Sequence, residues 1–277
     1  MRRRAAGAGP KFDLVFADRV LVTLVHLRTG LPHAALAELY GTARSTVSRA
    51  IDEIRPLLAA RGFAVPDRPG VRLRTLADVF AYAEAEGIRL RIDGAETQVR
   101  RPKADRPGRR AFVSGKRKQN TIKTTTVSDG QGRLLWSGAD RPGRMHDQTA
   151  MRTEGIAEQF RLHPKAGADV DERDRGLANE FPDQVSAPPK KPKDDAPPGD
   201  QYAWREMRRR QSSDRICVEH VNAELRQWRP LQRYTGRRED CAATHRAIAS
   251  LVSDRSARRP TRHRPSTELV LARQTAC

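Results

Sequence analysis

Cysteine is scarce. Cys217, Cys241 and Cys277 stand apart, and no two share a Cys-x-x-Cys spacing. That excludes a disulfide framework and a cysteine-built zinc site, and it fits a reducing compartment. Long apolar runs are missing as well. Nothing approaches the roughly 20 residues a membrane-spanning helix needs. Val20 to Leu27 is too short and is flanked by Asp18, Arg19 and Arg28. Met1-Arg2-Arg3-Arg4 is basic, but no signal-peptide core follows it directly. These absences predict a cytoplasmic protein with no membrane partner. Aromatics make up only 5% and hydrophobic residues 37% of the 277 residues. A core drawn from them is lean, yet the chain is long enough for one large domain or two modest ones.

Acid is in deficit. Asp and Glu number 34 against 53 Lys and Arg, a net charge of +19. Charge of this size does not dictate a fold. It argues for a polyanionic partner, because Lys and Arg displace the counterions condensed on nucleic acid. A charge that only maintains solubility is the blander account, and the dominance of Arg favours nucleic acid.

The chain divides at shifts in composition. Residues 11–65 read as helical, and Pro66-Asp67-Arg68-Pro69-Gly70 marks a turn-rich joint. Residues 71–252 mix short strands and helices, and 253–277 form a basic tail, loosely ordered by composition. Within the middle part, Leu76–Glu86 predicts a helix. Ile88–Ile92 alternates like a strand and ends at Asp93-Gly94. Asn120–Ser128 and Arg133–Trp136 predict two more strands, and His146–Phe160 a helix. Ser186–Asp200, rich in Pro and Lys, predicts an exposed loop. Gln201–Arg229 is again helical, with a break expected at Ser212-Ser213-Asp214.

The N-terminal helices have a recognisable rhythm. Asp18–Leu27 is amphipathic and Gly30 ends it. Pro32 suits the first turn of a second helix with Leu36, Leu39 and Tyr40 on its apolar side. Gly41-Thr42-Ala43-Arg44 makes a tight turn, and Ser45 is the expected N-cap of a third helix. There Val47, Ile51, Ile54 and Leu58 face inward, and Pro56 is expected to bend or shorten the helix. Arg44, Thr46, Ser48 and Arg49 lie on the outer side near its start, where a recognition helix meets base edges in the major groove. A plain helical bundle with a polar outer face is the alternative; the run Leu-x-x-Leu-Tyr-Gly-(three residues)-Ser-Thr-Val-Ser-Arg favours double-stranded DNA.

Three acids stand out by context. Asp93 closes the Leu90-Arg91-Ile92 strand, Asp171 follows the strand-like Ala168-Asp169-Val170, and Glu219 sits on a helix whose buried side is Val218, Val221 and Leu225. Two Asp and one Glu from separate elements are the ligands a hard octahedral cation takes. Two such ions can activate water and stabilise the leaving oxygen at a phosphodiester. Asp169 competes with Asp171 for the second place. His146-Asp147 is either a pair that lies near the metals or contacts DNA, or an N-cap at Asp147 that opens the following helix; the N-cap is the favoured reading for Asp147, and His146 is left open.

The order of these pieces resembles the DDE transposases of bacterial insertion sequences, in the insertion-sequence-five group. The matching segments are Ile92-Asp93-Gly94-Ala95-Glu96, Gly143-Arg144-Met145-His146-Asp147-Gln148-Thr149, Val170-Asp171 with Gly176-Leu177, and Val218-Glu219-His220 leading to Leu225-Arg226-Gln227-Trp228. The resemblance implies an α/β fold, an RNase H-like mixed sheet flanked by helices, preceded by an all-α helix-turn-helix domain. It implies catalytic and metal-binding roles for Asp93, Asp171 and Glu219, with Mg²⁺ or Mn²⁺, two ions. It implies nicking at the terminal inverted repeats and joining to target DNA by a homo-oligomer. Where the family carries a small residue, Gly and an aromatic after the second Asp, this chain has Glu172-Arg173-Asp174. That departure keeps open a non-catalytic DNA-binding protein derived from a decayed transposase, and a stand-alone nuclease is a third option. Basic runs expected to touch phosphate are Arg100-Arg101-Pro102-Lys103, Lys116-Arg117-Lys118, Lys190-Lys191-Pro192-Lys193 and Arg208-Arg209-Arg210.

Overall fold

The computed structural model describes residues 13–102 and 108–258, the side chains of 173 and 210–215 excepted. Lys103, the Arg210 side chain, Cys277, the basic start and the tail beyond 258 lie outside the described residues.

Three helices open the chain: α1 (Phe16–Thr29), α2 (His33–Leu39) and α3 (Arg44–Ala60). Gly30 ends α1 in the left-handed region, φ 70°, with its N–H on the His26 carbonyl at 2.8 Å. Val22, Leu36, Val47, Ala50 and Ile51 form a small core between the three helices. Leu39 does not join it and is 70% exposed. It is the last residue of a seven-residue helix that buries only Leu36 and Ala37. Ser45 is not the cap of α3. Its place is taken by Ala43, whose carbonyl already accepts from the Thr46 and Val47 amides. Nor does Pro56 shorten α3, which runs through it to Ala60.

A small hairpin follows, β1 (Phe63–Ala64) antiparallel to β2 (Arg72–Leu73), and the Pro-Gly joint forms its turn. α4 (Leu76–Ala85) begins with a capping box, Thr75 and Asp78 each satisfying the other's backbone. The main sheet uses β3 (Arg89–Val99), β4 (Thr121–Ser128), β5 (Leu134–Ser137), β6 (Arg141–Pro142), β7 (Gly167–Asp169), β8 (Val185–Ser186) and β9 (Arg233–Tyr234). The helices are α5 (Asp147–Thr153), α6 (Ile156–Leu162), α7 (Arg175–Glu180), α8 (Pro198–Arg226), α9 (Arg229–Gln232) and α10 (Cys241–Ala257). The expected single helix from His146 to Phe160 is two, parted at Gly155 with φ 83°. The Pro-rich loop ends earlier than expected because Pro198 opens α8. No break occurs at Ser212–Asp214; the backbone of α8 is helical for 29 residues, ending at Arg226.

The sheet order is β5-β4-β3-β7-β8, with β6 beside β4 and β9 beside β3. β3, β4 and β5 are antiparallel neighbours, while β7 and β8 continue the sheet parallel to β3. This is the RNase H-like mixed sheet, flanked by helices. Its apolar layer includes Leu90, Ile92, Val127, Leu135, Phe80, Phe160 and Ile248, all essentially buried. Successive residues of a strand point to opposite faces. Thus Thr124 of β4 meets His245 of α10, while its neighbour Lys123 meets Asp147 of α5.

Strand β3 is longer than the sequence suggested. Asp93 does not end it, because β4 pairs with it from Arg91 to Gln98 and holds it extended. The other edge of β3 is less complete. There β7 pairs with Arg89–Arg91 and β9 only with Gln98–Val99. Between them, among the described residues, β3 has no strand partner, and the sheet has a gap beside Asp93.

Candidate active site

Asp93, Asp171 and Glu219 come together at this gap. They line one cavity of about 300 Å³, with Glu96, Asp147, Asp174, Asn222, Lys116, Arg117, Lys123 and Arg226. Each side chain arrives by a different route. Asp93 is carried mid-strand, and its Oδ2 accepts from Asn222 Nδ2 of α8 at 2.7 Å. Asp171 lies two residues past the end of β7 and caps the short 3-10 turn Glu172–Asp174, its Oδ1 accepting from the Glu172 amide at 2.6 Å. Glu219 projects from α8, exposed, while Val218, Val221 and Leu225 of the same helix are buried.

Asp169 is not in the cavity. In the parallel register it sits opposite Arg91, and the guanidinium groups of Arg89 and Arg91 both hold its carboxylate. Two residues farther along the chain, Asp171 lies beyond those arginines and beside the gap.

Besides Glu96, two more acids line the cavity that the sequence did not assign as ligands. Asp147 is not an N-cap: His146 caps α5, accepting from the Gln148 amide at 3.4 Å. Asp147 is thereby turned inward and pairs with Lys123 Nζ at 2.5 Å. The signal was the Gly143–Thr149 run itself, whose acid was spent on a cap. Asp174 is the second. It is 2% exposed, and its Oδ1 has no hydrogen-bond partner. Burial, then the charges of Asp147, Asp171 and Asp93, push its pKa up to about 7. Lys123 works against that rise. Only 6% exposed, it sits between Asp147, Glu96 at 3.8 Å and the Met145 carbonyl at 2.7 Å.

Carboxylates and amide oxygens are the donors that Mg²⁺ or Mn²⁺ prefer. The orphaned, buried Oδ1 atoms of Asp174 and Asn222 add to that donor set. The chemistry of the residues therefore fits a hard divalent cation. Among the described residues no three acid, His or Cys side chains yet close around one point. Grouping them around an ion takes side-chain movement, for which exposed Glu219 on a helical rim has freedom.

The remaining expected contacts divide. Lys116 and Arg117 stand on the rim of the cavity, and Lys118 is exposed beside them. Lys190, Lys191, Arg208 and Arg209 are exposed away from it; Lys191 pairs with Asp194 and Arg208 lies over Trp204. Trp204 is half-buried and donates to the Pro189 carbonyl at 3.2 Å. On α3, Arg44 and Arg49 are exposed, whereas Thr46 binds Asp13 and Ser48 binds His33. His220 is exposed and does not line the cavity.

An RNase H-like sheet with an acid cavity at its edge, behind three N-terminal helices, defines a class of nucleic-acid-acting proteins. The chain belongs to the DDE superfamily endonucleases: residues 92–253 match that family and residues 12–64 match the helix-turn-helix of DDE superfamily endonuclease. A probable transposase for insertion sequence element IS702 from Microchaete diplosiphon is 25% identical over 226 residues, covering 81% of this chain and 74% of that protein. Two solved structures are similar at a much lower level. The Mos1 transposase paired-end complex with left transposon end is 14% identical, covers 88% of this chain and 82% of its own, and has a TM-score of 0.22. The Mos1 mariner paired end complex with Mn is 12% identical, covers 93% and 82%, and also has a TM-score of 0.22. Superpositions that loose have no bearing on the site. The matches identify the superfamily; the insertion-sequence-five group rests on the sequence motifs alone. No helix among the described residues is long and apolar enough to cross a membrane.

Proposed function

We propose that the protein is a transposase that nicks DNA at the terminal inverted repeats of an insertion sequence and transfers the freed strand to target DNA. The observation that carries this is the convergence of Asp93, Asp171 and Glu219, from three distant stretches of chain, on one cavity with a basic rim. Asp93, Asp171 and Glu219 would hold the divalent cations, two by the chemistry of the reaction, with Asp174 beside them. Bound there, the ions would supply Lewis-acid charge for in-line displacement at phosphorus.

The chain's own residues do the rest. Asn222 orients Asp93, and the Glu172 amide fixes Asp171. Lys123 pairs with Asp147 inside a crowded acid site. Lys116 and Arg117 reach the phosphates on either side of the scissile bond, while α3 presents Arg44 and Arg49 to a duplex. Partners are the element's double-stranded ends, target DNA and further copies of the chain that hold two ends together. These steps take place in the cytoplasm, at the nucleoid.

The test is incubation of the purified protein with duplexes carrying the inverted repeats that flank its gene. Nicking and strand transfer that need Mg²⁺ or Mn²⁺ are expected. Asp93→Asn and Glu219→Gln should each lower the rate at least a hundredfold. Specific binding by the wild type with no metal-dependent cleavage would overturn the catalytic reading.

A further inference from the structure

A second cavity, about 600 Å³, lies between the helix-turn-helix and the α9–β9 segment, away from the acids. Its walls include Arg44 and Ser48 of α3 on one side and Arg229, Arg233 and Arg237 on the other. Arg55 lies within it but is already committed, bonded to Asp52 at 3.1 Å and Asp240 at 2.9 Å. Among the described residues those two aspartates are the only acids on the cavity wall. Among the described residues, Arg44, Arg229, Arg233 and Arg237 form no ion pair. The cleft is therefore strongly basic, and its charge is not spent inside the protein.

Direct contacts tie the two walls together. Gly30 packs so closely on α9 that an added Cβ would stand 2.6 Å from Arg229 Cγ. Arg28 stacks over Trp228, 5.4 Å from its ring centroid, and donates to Gln227 at 3.2 Å. Arg55 ties α3 to the turn before α10. A concave, unneutralised arginine surface that begins at the first turn of the recognition helix suits a long polyanion.

We propose that this cleft binds the phosphate backbone of duplex DNA, so that the helix-turn-helix and the α9–β9 segment of the catalytic half grip one continuous DNA path. Arg233 and Arg237 contact phosphate there. Arg44 stands where the two grips meet. The inference rests on the protein's being a DNA-binding transposase, and it assigns the catalytic half a DNA contact that neither the acids nor the recognition helix provides.

The probe is a fluorescent 30-base-pair duplex of random sequence, titrated by anisotropy at several salt concentrations. Each phosphate contact contributes about 0.9 to the slope of log affinity against log salt. Arg233→Ala with Arg237→Ala should lower the slope by about two and the affinity about tenfold or more near 0.1 M salt. Arg233→Lys with Arg237→Lys should restore the slope. Both side chains are exposed, so the melting temperature should not move. An unchanged slope and affinity in the Ala pair, while Arg44→Ala with Arg49→Ala weakens binding, would overturn the cleft and leave the transposase reading standing. Failure of the wild type to bind any duplex would overturn both.

Discussion

Asp93, Asp171 and Asp174 share a small volume with Asp147, and Lys123, paired with Asp147, relieves part of their mutual repulsion. A divalent cation that enters this volume binds the folded chain and has no such site on the unfolded one. Saturation at about 100 times the dissociation constant adds about 2.7 kcal/mol to stability. Mn²⁺ is thus expected to raise the melting temperature of the wild type by several degrees. Asp93→Asn and Asp171→Asn should each remove most of that shift, and Asp169→Asn should leave it intact. Differential scanning fluorimetry with and without chelator measures it. An equal shift in all four proteins would mean that the ion binds elsewhere. The types of these acids were legible in the sequence, but their neighbours were not. Choosing Asp171 over Asp169 depends on which of them Arg89 and Arg91 reach, and that is a matter of strand register. Asp147 was hidden by a cap that His146 supplies instead.

His245 offers a residue-scale test in a different place. It is fully buried between α10 and β4, hydrogen-bonded to Thr124 at 3.2 Å, with Asp140 at 3.6 Å, Cys241 one turn away and Arg246 beside it. Burial, only partly offset by Asp140, lowers its pKa from 6.5. The folded chain keeps this imidazole neutral while the unfolded chain takes up a proton. Stability contributed by the neutral ring is therefore complete above pH 6.5 and is lost as pH falls below it. The loss is at most about 1.4 kcal/mol per pH unit for one proton. In urea unfolding between pH 7 and 5, His245 should appear as the difference in slope between the wild type and His245→Gln, because Asp174, its pKa pushed up to about 7, contributes with the opposite sign in both proteins. Identical slopes would remove His245 as the cause.

At the scale of elements, the site depends on how β4, β6 and α5 meet. β6 pairs with β4 through Ile122 and Lys123, and the next residue, Gly143, lies directly against Thr121. An added Cβ would fall 1.9 Å from Thr121 Oγ1 and 2.8 Å from its carbonyl oxygen. The hydroxyl can rotate away, but the backbone oxygen cannot without shifting the strand. Gly143→Ala is expected to cost about 1–3 kcal/mol, the usual range for overpacking. It should also slow catalysis more than the stability loss explains, because Lys123 and Asp147 sit on the two displaced elements. Chemical denaturation together with nicking rates separates the two effects. Helices with a strong apolar period, α1, α3 and α4, were readable from residue pattern. The joins were not. Where β3 stops depends on a partner strand some 30 residues later in the chain. That α8 continues through Ser212–Asp214 reflects its length and tertiary packing, which outweigh the weak local preference of Ser and Asp.

Across the whole molecule, the helix-turn-helix is built into the sheet-containing half that follows it and does not hang from it. Leu27 of α1 and Phe63, Val65 and Leu73 of the first hairpin belong to the main core with β3, β4 and α10. Ser250 of α10 donates to the Leu58 carbonyl at 2.9 Å, and Ser253 accepts from the Ala64 amide at 2.9 Å. Asp254 pairs with both Arg61 and Arg72, and Asp240 with Arg55. Composition alone set a boundary near the Pro-Gly joint, but the polar side of α10 that seals it has no signature in a single sequence. With so much buried contact across the joint, separate melting would expose apolar surface on both sides. The chain from 13 to 258 is expected to unfold in one transition, with Trp fluorescence from the sheet-containing half and helical circular dichroism falling together. A chain lacking residues 1–62 should lose most of its stability, since Ala247, Ile248 and Val252 of α10 would lose part of their cover. Two resolved transitions in the full-length protein would show that the halves fold independently, and the basic cleft between them would then open and close instead of standing preformed for DNA.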